Sequence, residues 1–403
     1  MSLKKQIFGW SIYDLANTIF SALFVTVYFP LFVILKGGTA FHVGIVMSLS
    51  MLLAGLLVPF LGALADVTQR KKLLLFIFTS LCCIFTFFTG FFDLTTVLFF
   101  GLFANFFYHA GLDVYDSFLI NLSKKNNIGK ISGLGTAVGY LGTILSIAIA
   151  YIVGYKYGFE TIFGIKIIFI LTAILFFSIS LITFYYLKEI SKTKIKPAHF
   201  KQAFNRVIST IKSIKKFKSL WLFLLASFLY VDAANTAIVF LYLYARDQLG
   251  LAIVQFLPIY LAMAISAFGG AIIFGYITDK FGHKKTLLSV LFLWIVIILL
   301  LYFKTTFTTF LIVGIFGGAL LGAIWTITRP ILVDLAPKEK IAELFGYQGL
   351  TEKFSGVIGP LLFGYIASSY GFKPALLVVI GLFLLGAFVL SLVKIKTKPS
   401  KIF

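Results

Sequence analysis

Four carboxylates stand inside long apolar stretches of this sequence, and they are the side chains best suited to chemistry: Asp14, Asp113, Asp116 and Asp232. A charged residue at the centre of a membrane-spanning helix costs about 2.5–3.5 kcal/mol on insertion scales, so such residues usually face water, a partner or an ion path. Each carboxylate could therefore bind a proton, a cation or a polar ligand. A fixed bond to a neighbouring helix is the alternative for each of them.

The most informative group of polar residues follows one face of the apolar stretch at 95–121. Asn105, His109, Asp113 and Asp116 are spaced i, i+4, i+8 and i+11, and residues three or four apart share a helix face. A proton shared between His109 and Asp113 would suit proton coupling or contact with a substrate. A divalent-cation site built from His109 and the two acids is a second interpretation, and a static polar network is a third.

Composition places these side chains in a membrane protein. The chain has 403 residues, of which 60% are hydrophobic and 12% are charged, against roughly 25% charged residues in a soluble domain. A bilayer-spanning helix needs about 20 apolar residues, and twelve such stretches occupy most of the chain. Too little remains for a soluble catalytic domain, so we expect neither an enzyme nor a bound cofactor.

The predicted spans lie between charged breaks, near 8–35, 42–65, 73–92, 95–121, 131–154, 162–187, 220–244, 253–278, 286–303, 307–334, 343–369 and 374–393. The formal charge of +21 would suggest a nucleic-acid partner in a soluble protein. Here the basic residues stand at the ends of spans, which indicates membrane topology and no nucleic-acid binding.

The distribution of basic residues predicts the orientation of the spans. With the N-terminus inside, only six of the 35 Lys and Arg residues fall at outward-facing breaks, namely Lys36, Lys156, Lys166, Arg246, Lys304 and Lys373. Because basic residues accumulate on the cytoplasmic side, we predict that both termini are cytoplasmic and that the protein lies in the inner membrane.

A basic segment divides the chain into two units. Residues 188–219 carry ten Lys and Arg residues and a single acid, Glu189. We interpret this segment as a cytoplasmic linker between a six-helix unit at 1–187 and a second one at 220–403. Apolar residues at helical spacing indicate that part of the linker is an amphipathic helix on anionic headgroups. A solvated basic loop is the alternative.

Two short motifs occur once in each unit, which indicates an internal duplication. The motif D-x-A-N-T begins at Asp14 and again at Asp232, 218 residues later. The motif G-x-x-x-D begins at Gly62 and again at Gly275, 213 residues later. Parallel six-helix repeats are typical of one large transporter architecture, in which the substrate lies between the two repeats near the bilayer midplane.

The loop motifs resemble the hallmark of the major facilitator superfamily, G-x-x-x-D-R-x-G-R-K. The matching residues are Gly62, Asp66, Arg70 and Lys71 in the first copy, and Gly275, Asp279, Lys280, Gly282 and Lys284 in the second. The resemblance covers the whole chain and implies an all-α membrane protein with twelve transmembrane helices in two pseudo-symmetric six-helix bundles. It also implies that these loop residues control an inner gate.

Helix 1 resembles a narrower family, the vacuolar amino-acid effluxers and their bacterial relatives. The residues that carry this resemblance are Trp10, Tyr13, Asp14, Ala16 and Asn17, with Gly139-Tyr140-Leu141-Gly142 and Gly359-Pro360-Leu361-Leu362 in later helices. In the resembled fold, helices 1, 4, 7 and 10 line the cavity. The implied residues for substrate or coupling ion are Asp14, Asn17, His109, Asp113, Asp116, Asp232, Asn235 and Arg329. Arg329 could instead pair with a carboxylate at the inner gate.

These observations predict a secondary active transporter that moves a small polar solute, with amino-acid-like solutes favoured, by alternating access. Protons are the favoured coupling ion and sodium is the alternative. Export of hydrophobic compounds, or a role as a non-transporting receptor or scaffold, are the competing functions. We expect a monomer whose partners are the solute, the coupling ion and the lipid bilayer, with no bound metal.

Overall fold

The computed structural model describes residues 2–68, 70–122, 128–188, 218–335, 351 and 354–394. Within these ranges the chain forms helices joined by short turns, and no strand occurs. We number the helices in chain order as α1 (Leu3–Leu35), α2 (Ala40–Thr68), α3 (Lys71–Thr89), α4 (Leu94–Leu122), α5 (Ile128–Tyr157), α6 (Ile162–Tyr186), α7 (Lys218–Leu249), α8 (Ile253–Phe281), α9 (His283–Phe303), α10 (Phe307–Leu335), α11 (Ile358–Tyr370) and α12 (Phe372–Ser391). The predicted linker lies almost wholly outside the described residues.

The first helix is not a regular α-helix along its length. Its ends are α-helical, but the nine residues Phe20–Tyr28 form a π-helix. The Thr26 hydroxyl donates to the Ser21 carbonyl at 3.0 Å, five residues back. Pro30 follows in the first turn of the next α-helical piece, where its missing N–H costs little. The π segment contacts α5, α6 and α7, so the irregular part of α1 lies at the centre of the bundle.

The described part of the eleventh predicted span contains a break. The expected span at 343–369 is interrupted at 355–357, and α11 begins only at Ile358. Gly356 has a φ of +98°, a conformation that suits glycine and ends a helix. Eleven of the described helices are long and apolar enough to cross a membrane. The described helix α11, with 13 residues, is not one of these eleven.

The first six helices meet the last six mainly along three helix pairs, α2 with α11, α1 with α7 and α5 with α8. The α2–α11 contact is close because glycines face backbone. A Cβ on Gly44 would meet the carbonyl oxygen of Pro360, and one on Gly364 would meet that of Ala40. Both contacts lie at the end of the bundle that carries the α5–α6 turn, which we call the Glu160 end.

The tightest packing within the last six helices is the α8–α10 crossing, which small residues make possible. A Cβ on Gly318 would meet the Met263 carbonyl, and one on Gly322 would meet the Ala267 carbonyl. Gly270 faces the backbone of Ala319 in the same way. The two helix backbones therefore touch without intervening side chains.

We expect Gly270→Ala to lower the free energy of unfolding by about 1–3 kcal/mol, because backbone must shift to accept the methyl group. The neighbouring Gly269→Ala is the matched control, since its Cβ would meet nothing within 4 Å. Alanine is also the better helix former by up to about 1 kcal/mol, so the control should be as stable as the parent or more so. Melting temperatures of both purified variants measure the difference. Equal values would contradict this account of the crossing.

Candidate functional site

The two D-x-A-N-T motifs adopt the same local structure in α1 and α7. The hydroxyl of Thr18 donates to the Asp14 carbonyl at 2.7 Å, and the hydroxyl of Thr236 donates to the Asp232 carbonyl at 2.7 Å. Each threonine also faces a glycine of a partner helix, because a Cβ on Gly139 would lie 3.2 Å from the Thr18 hydroxyl and one on Gly359 would meet that of Thr236. The sequence repeat is therefore a structural repeat at this point.

In the first copy the Asp14 carboxylate lies against the backbone of α5. A Cβ on Gly135 would lie 3.1 Å from Asp14 Oδ2, so the glycine makes room for the carboxylate. The amide of Asn17, which is buried, donates to Asp14 Oδ1 at 3.2 Å. Asp14 is half-buried, although it lies about 16 Å along α1 from Leu3. A partly accessible carboxylate at this depth can bind a polar ligand or a proton.

Two tyrosines interact electrostatically with Asp14, and one of them also interacts with a second carboxylate. Tyr108 of α4 interacts electrostatically with both Asp14 and Asp116, and Tyr140 of α5 interacts with Asp14. Tyr108 also interacts with Ser21, in the π segment of α1. Of the predicted set, the structure thus brings Asn17 into contact with Asp14, while Asp116 is related to Asp14 only through its interaction with Tyr108. Tyr108 was not singled out from the sequence, because nothing in its spacing separates it from the many packing aromatics.

The predicted polar stripe on α4 divides into different environments. Asn105 is buried, and its amide donates to the Ser50 hydroxyl of α2 at 2.6 Å, which matches the static alternative for that residue. His109 is half-buried beside the Tyr108 ring, at 5.0 Å between centroids, and Asp116 is exposed. The side chain of Asp113 lies outside the described part, so proton sharing with His109 and the divalent-cation site both stay predictions.

In the second copy the Asp232 carboxylate binds the start of α11. Asp232 Oδ1 accepts a hydrogen bond from the Gly356 amide at 2.6 Å, and Oδ2 accepts one from the Gly359 amide at 2.9 Å. The first N–H groups of a helix have no partner within it, and a carboxylate there also faces the positive end of the helix dipole. Asp232 is completely buried, so its oxygens serve the break in α11. The neighbouring Asn235 is half-buried.

The aromatic residues of the α1 signature pack this helix against its neighbours. The Trp10 indole donates to the Tyr115 carbonyl at 3.1 Å, and the Trp10 and Tyr115 rings stack at 4.7 Å. The Tyr13 ring also stacks on the Tyr115 ring, at 4.9 Å between centroids, and the Tyr13 hydroxyl is 2.7 Å from that of Thr79 in α3. This part of the signature holds α1 to α3 and α4, which positions Asp14.

The loop motifs are only partly described. Lys284 donates to the carbonyls of Ser391 and Val393, both at 2.7 Å, so it caps the C-terminus of α12, as basic side chains often do. Gly275 faces Thr326 of α10, and Arg70 is half-buried. Gly62 and Asp66 lie in α2 and Asp279 lies in α8, but the surroundings of Gly62 and the side chains of Asp66, Asp279 and Arg329 are outside the described part. Their gating roles stay predictions.

A polar network that sequence reasoning missed joins the two halves at the Glu160 end. Glu160, in the α5–α6 turn, accepts hydrogen bonds at Oε1 from the Tyr242 hydroxyl at 2.6 Å and from the Ile253 amide at 3.0 Å. Its Oε2 lies 3.3 Å from Arg246 Nε. The Tyr151 hydroxyl also donates to a backbone carbonyl of α8 at 3.1 Å. The sequence does contain a signal for this network, because Glu160 and Arg246 are opposite charges at outward-facing breaks of different halves.

Comparison with known proteins decides the family. Residues 121–400 match the family described as vacuole effluxer Atg22 like. The chain belongs to this family. It is 28% identical to an uncharacterized MFS-type transporter, YxiO, of Bacillus subtilis (strain 168), with 98% of this chain and 96% of that protein covered. It is 23% identical to the multidrug resistance protein MdtG of Dickeya zeae (strain Ech586), with 86% and 82% covered.

The fold of this family member is that of solved major facilitator transporters. A bacterial homolog of the human lysosomal transporter Spinster, in an inward-facing and unoccupied conformation, superposes with a TM-score of 0.73 at 12% identity, covering 97% of this chain and 96% of that one. The predicted superfamily, family and all-α fold are therefore confirmed. The protein is an integral membrane transporter of a small molecule and not an enzyme.

Proposed function

We propose that this transporter moves a small polar solute, with amino-acid-like solutes favoured, by alternating access coupled to protons. The observation that carries the proposal is the half-buried Asp14 carboxylate deep in α1, beside Asn17 and the π segment. Intramembrane carboxylates that keep contact with water are suited to a charged group of the solute or to a proton. Sodium is the alternative coupling ion.

The other site residues take distinct roles in the proposal. Asp14 and Asn17 contact the solute, His109, Asp113 and Asp116 carry protons, and Asn235 and Arg329 approach from the second half. Asp232 acts indirectly, because its carboxylate binds the amides at the start of α11. We keep the loop residues Gly62, Asp66, Arg70, Gly275, Asp279 and Lys284 as the proposed gate at the opposite end from Glu160.

The proposed orientation places both termini in the cytoplasm of the inner membrane, with the Glu160 end outward. The asymmetric distribution of basic residues supports it. The two halves are joined at the Glu160 end, which supports the proposal that this end is the closed one. We further propose that the monomer is the working unit, with two six-helix units, 1–187 and 220–403, on either side of the linker.

Proteoliposomes that contain a pH-sensitive dye test the proposal. A panel of amino acids, nucleosides and sugars is added outside, and proton-coupled transport should change the internal pH for at least one of them. Asp14→Asn should abolish this change while leaving the protein folded. The control is Asp93→Asn, an exposed acid at the N-terminus of α4, where a hydrogen bond from Thr96 at 2.6 Å holds the pKa of the carboxyl below its usual value.

Full activity in Asp14→Asn would contradict the assignment of the site. Binding of a solute without any flux would instead favour the receptor function. Export of hydrophobic compounds is the second candidate, because one relative of this chain is a multidrug resistance protein. Efflux of an aromatic cationic dye from the same liposomes, with no response to any polar solute, would favour that candidate over ours.

A further inference from the structure

All the described donors to Glu160 in this network come from the other half of the chain. Glu160 belongs to the first half of the chain, whereas Tyr242, Arg246 and the Ile253 amide all belong to the second. The side chains of Glu160 and Arg246 are 26% and 32% exposed, so the carboxylate is largely withdrawn from water. When the halves separate at this end, Glu160 loses every one of these donors at once. The open conformation therefore needs another way to stabilise this carboxylate.

The first half also carries a buried hydroxyl that could serve as a second donor to Glu160, that of Tyr28. Tyr28 ends the π segment of α1 and is 1% exposed. Its hydroxyl has no hydrogen-bond partner among the described residues, although a buried hydroxyl normally has one. Tyr28 interacts electrostatically with both Glu160 and Tyr242. The Tyr28 hydroxyl is thus a buried donor without an acceptor among the described residues that interacts electrostatically with Glu160.

We propose that Glu160 exchanges partners during the transport cycle: it binds Tyr242, Arg246 and the Ile253 amide when this end is closed, and the Tyr28 hydroxyl when this end is open. Tyr28 is then a positioning residue for the open conformation, and Tyr242 is one for the closed conformation. The proposal rests on alternating access, but it does not depend on which solute is carried.

The position of Tyr28 in the π segment suits this exchange. The π segment contacts α6 of its own half and α7 of the other half, so Tyr28 lies in a segment at the interface between the two halves. π-helical turns often mark functional sites in helices. When α7 moves away with Tyr242, the hydroxyl of Tyr28 and the carboxylate of Glu160 stay together, because both belong to the first half.

Two hydroxyl deletions distinguish this exchange from a merely structural network. Tyr242→Phe removes a donor of the closed conformation and should shift the equilibrium toward the open one. Tyr28→Phe removes nothing that is bonded in the closed conformation, but it should shift the equilibrium further toward the closed one. A hydrogen bond to a charged group is large enough for about a tenfold shift in each case. The two variants must therefore act in opposite directions.

The distance between two spin labels measures the equilibrium directly. Tyr155→Cys on α5 and Lys304→Cys after α9 place exposed labels on different halves at the Glu160 end. The native Cys82 and Cys83 are buried. Tyr244→Phe is the control, because Tyr244 contacts Thr305 within the second half and should leave the distance distribution unchanged. Each variant is first checked for a single symmetric peak in gel filtration.

The expected result is a larger population of long distances in Tyr242→Phe and a smaller one in Tyr28→Phe, with the double variant close to the parent. A Tyr28→Phe variant with the parent distribution, or one shifted in the same direction as Tyr242→Phe, overturns the proposal. No solute is needed for this measurement. Failure of the flux assay would therefore leave the result interpretable, and failure of the exchange would leave the transport proposal intact.

Discussion

Replacing Asp232 with alanine is expected to lower the free energy of unfolding by about 3 kcal/mol or more, the largest effect of a single substitution in this protein. The buried amides of Gly356 and Gly359 would both lose their acceptor. Hydrogen bonds to a charged group contribute about 1.5–3 kcal/mol each, and buried donors without an acceptor are costly. Melting temperature in detergent and the yield of monodisperse protein measure the loss.

The internal repeat supplies the matched control for this substitution. Asp14→Ala changes the equivalent residue of the first copy, which is half-buried and bonded to a side chain that can adjust. It should cost about 1 kcal/mol and remove transport instead. Asp232→Asn should be intermediate in stability. The oxygen of its side-chain amide can still accept one hydrogen bond, but its NH₂ group, which is a donor, would face the other backbone N–H. Equal destabilisation by the two alanine variants would contradict the capping role.

Gly364→Val is expected to prevent closure at the Glu160 end, and with it transport. Its side chain would meet the carbonyl of Ala40, next to the hydrogen bond from the Phe41 amide to the Ser368 hydroxyl at 2.8 Å. Overpacking a backbone contact costs about 1–3 kcal/mol, and here the cost falls only on the conformation in which α2 and α11 touch. The label pair at Tyr155 and Lys304 should report long distances.

Gly381→Val is the control for this substitution, because a Cβ on Gly381 would meet nothing within 4 Å. It should leave both the distances and the flux unchanged. Parent-like distances in Gly364→Val would show that the α2–α11 contact is not what keeps this end closed. The Glu160 network would then be the main contact between the halves at that end.

Much of the architecture follows from properties that act locally along the chain. A run of about 20 apolar residues must form a helix in a bilayer because the backbone has no water to bind. The spans and the family can therefore be predicted from apolar runs and short motifs. The repeat was equally accessible, because Thr18 and Thr236 bond four residues back within their own helices. Local bonds of this kind depend on the sequence alone.

What the motifs do was decided by contacts between distant residues. Asp14 and Asp232 occupy the same motif, yet Asp14 is half-buried and Asp232 caps a break in another helix. Hydropathy predicts α11 as one continuous span, because the break at Gly356 is an apolar segment like its neighbours. The break is stabilised by a carboxylate more than a hundred residues earlier, which binds its amides.

The sequence by itself determined a duplicated twelve-span transporter and the acids from which a site could be built. The tertiary structure alone decided that one of those acids holds a helix break and that Glu160, an unremarked turn residue, joins the two halves. The physical reason is the same in both cases. A carboxylate withdrawn from water binds whichever donors the packed helices present to it, and those donors lie on segments that sequence spacing does not connect.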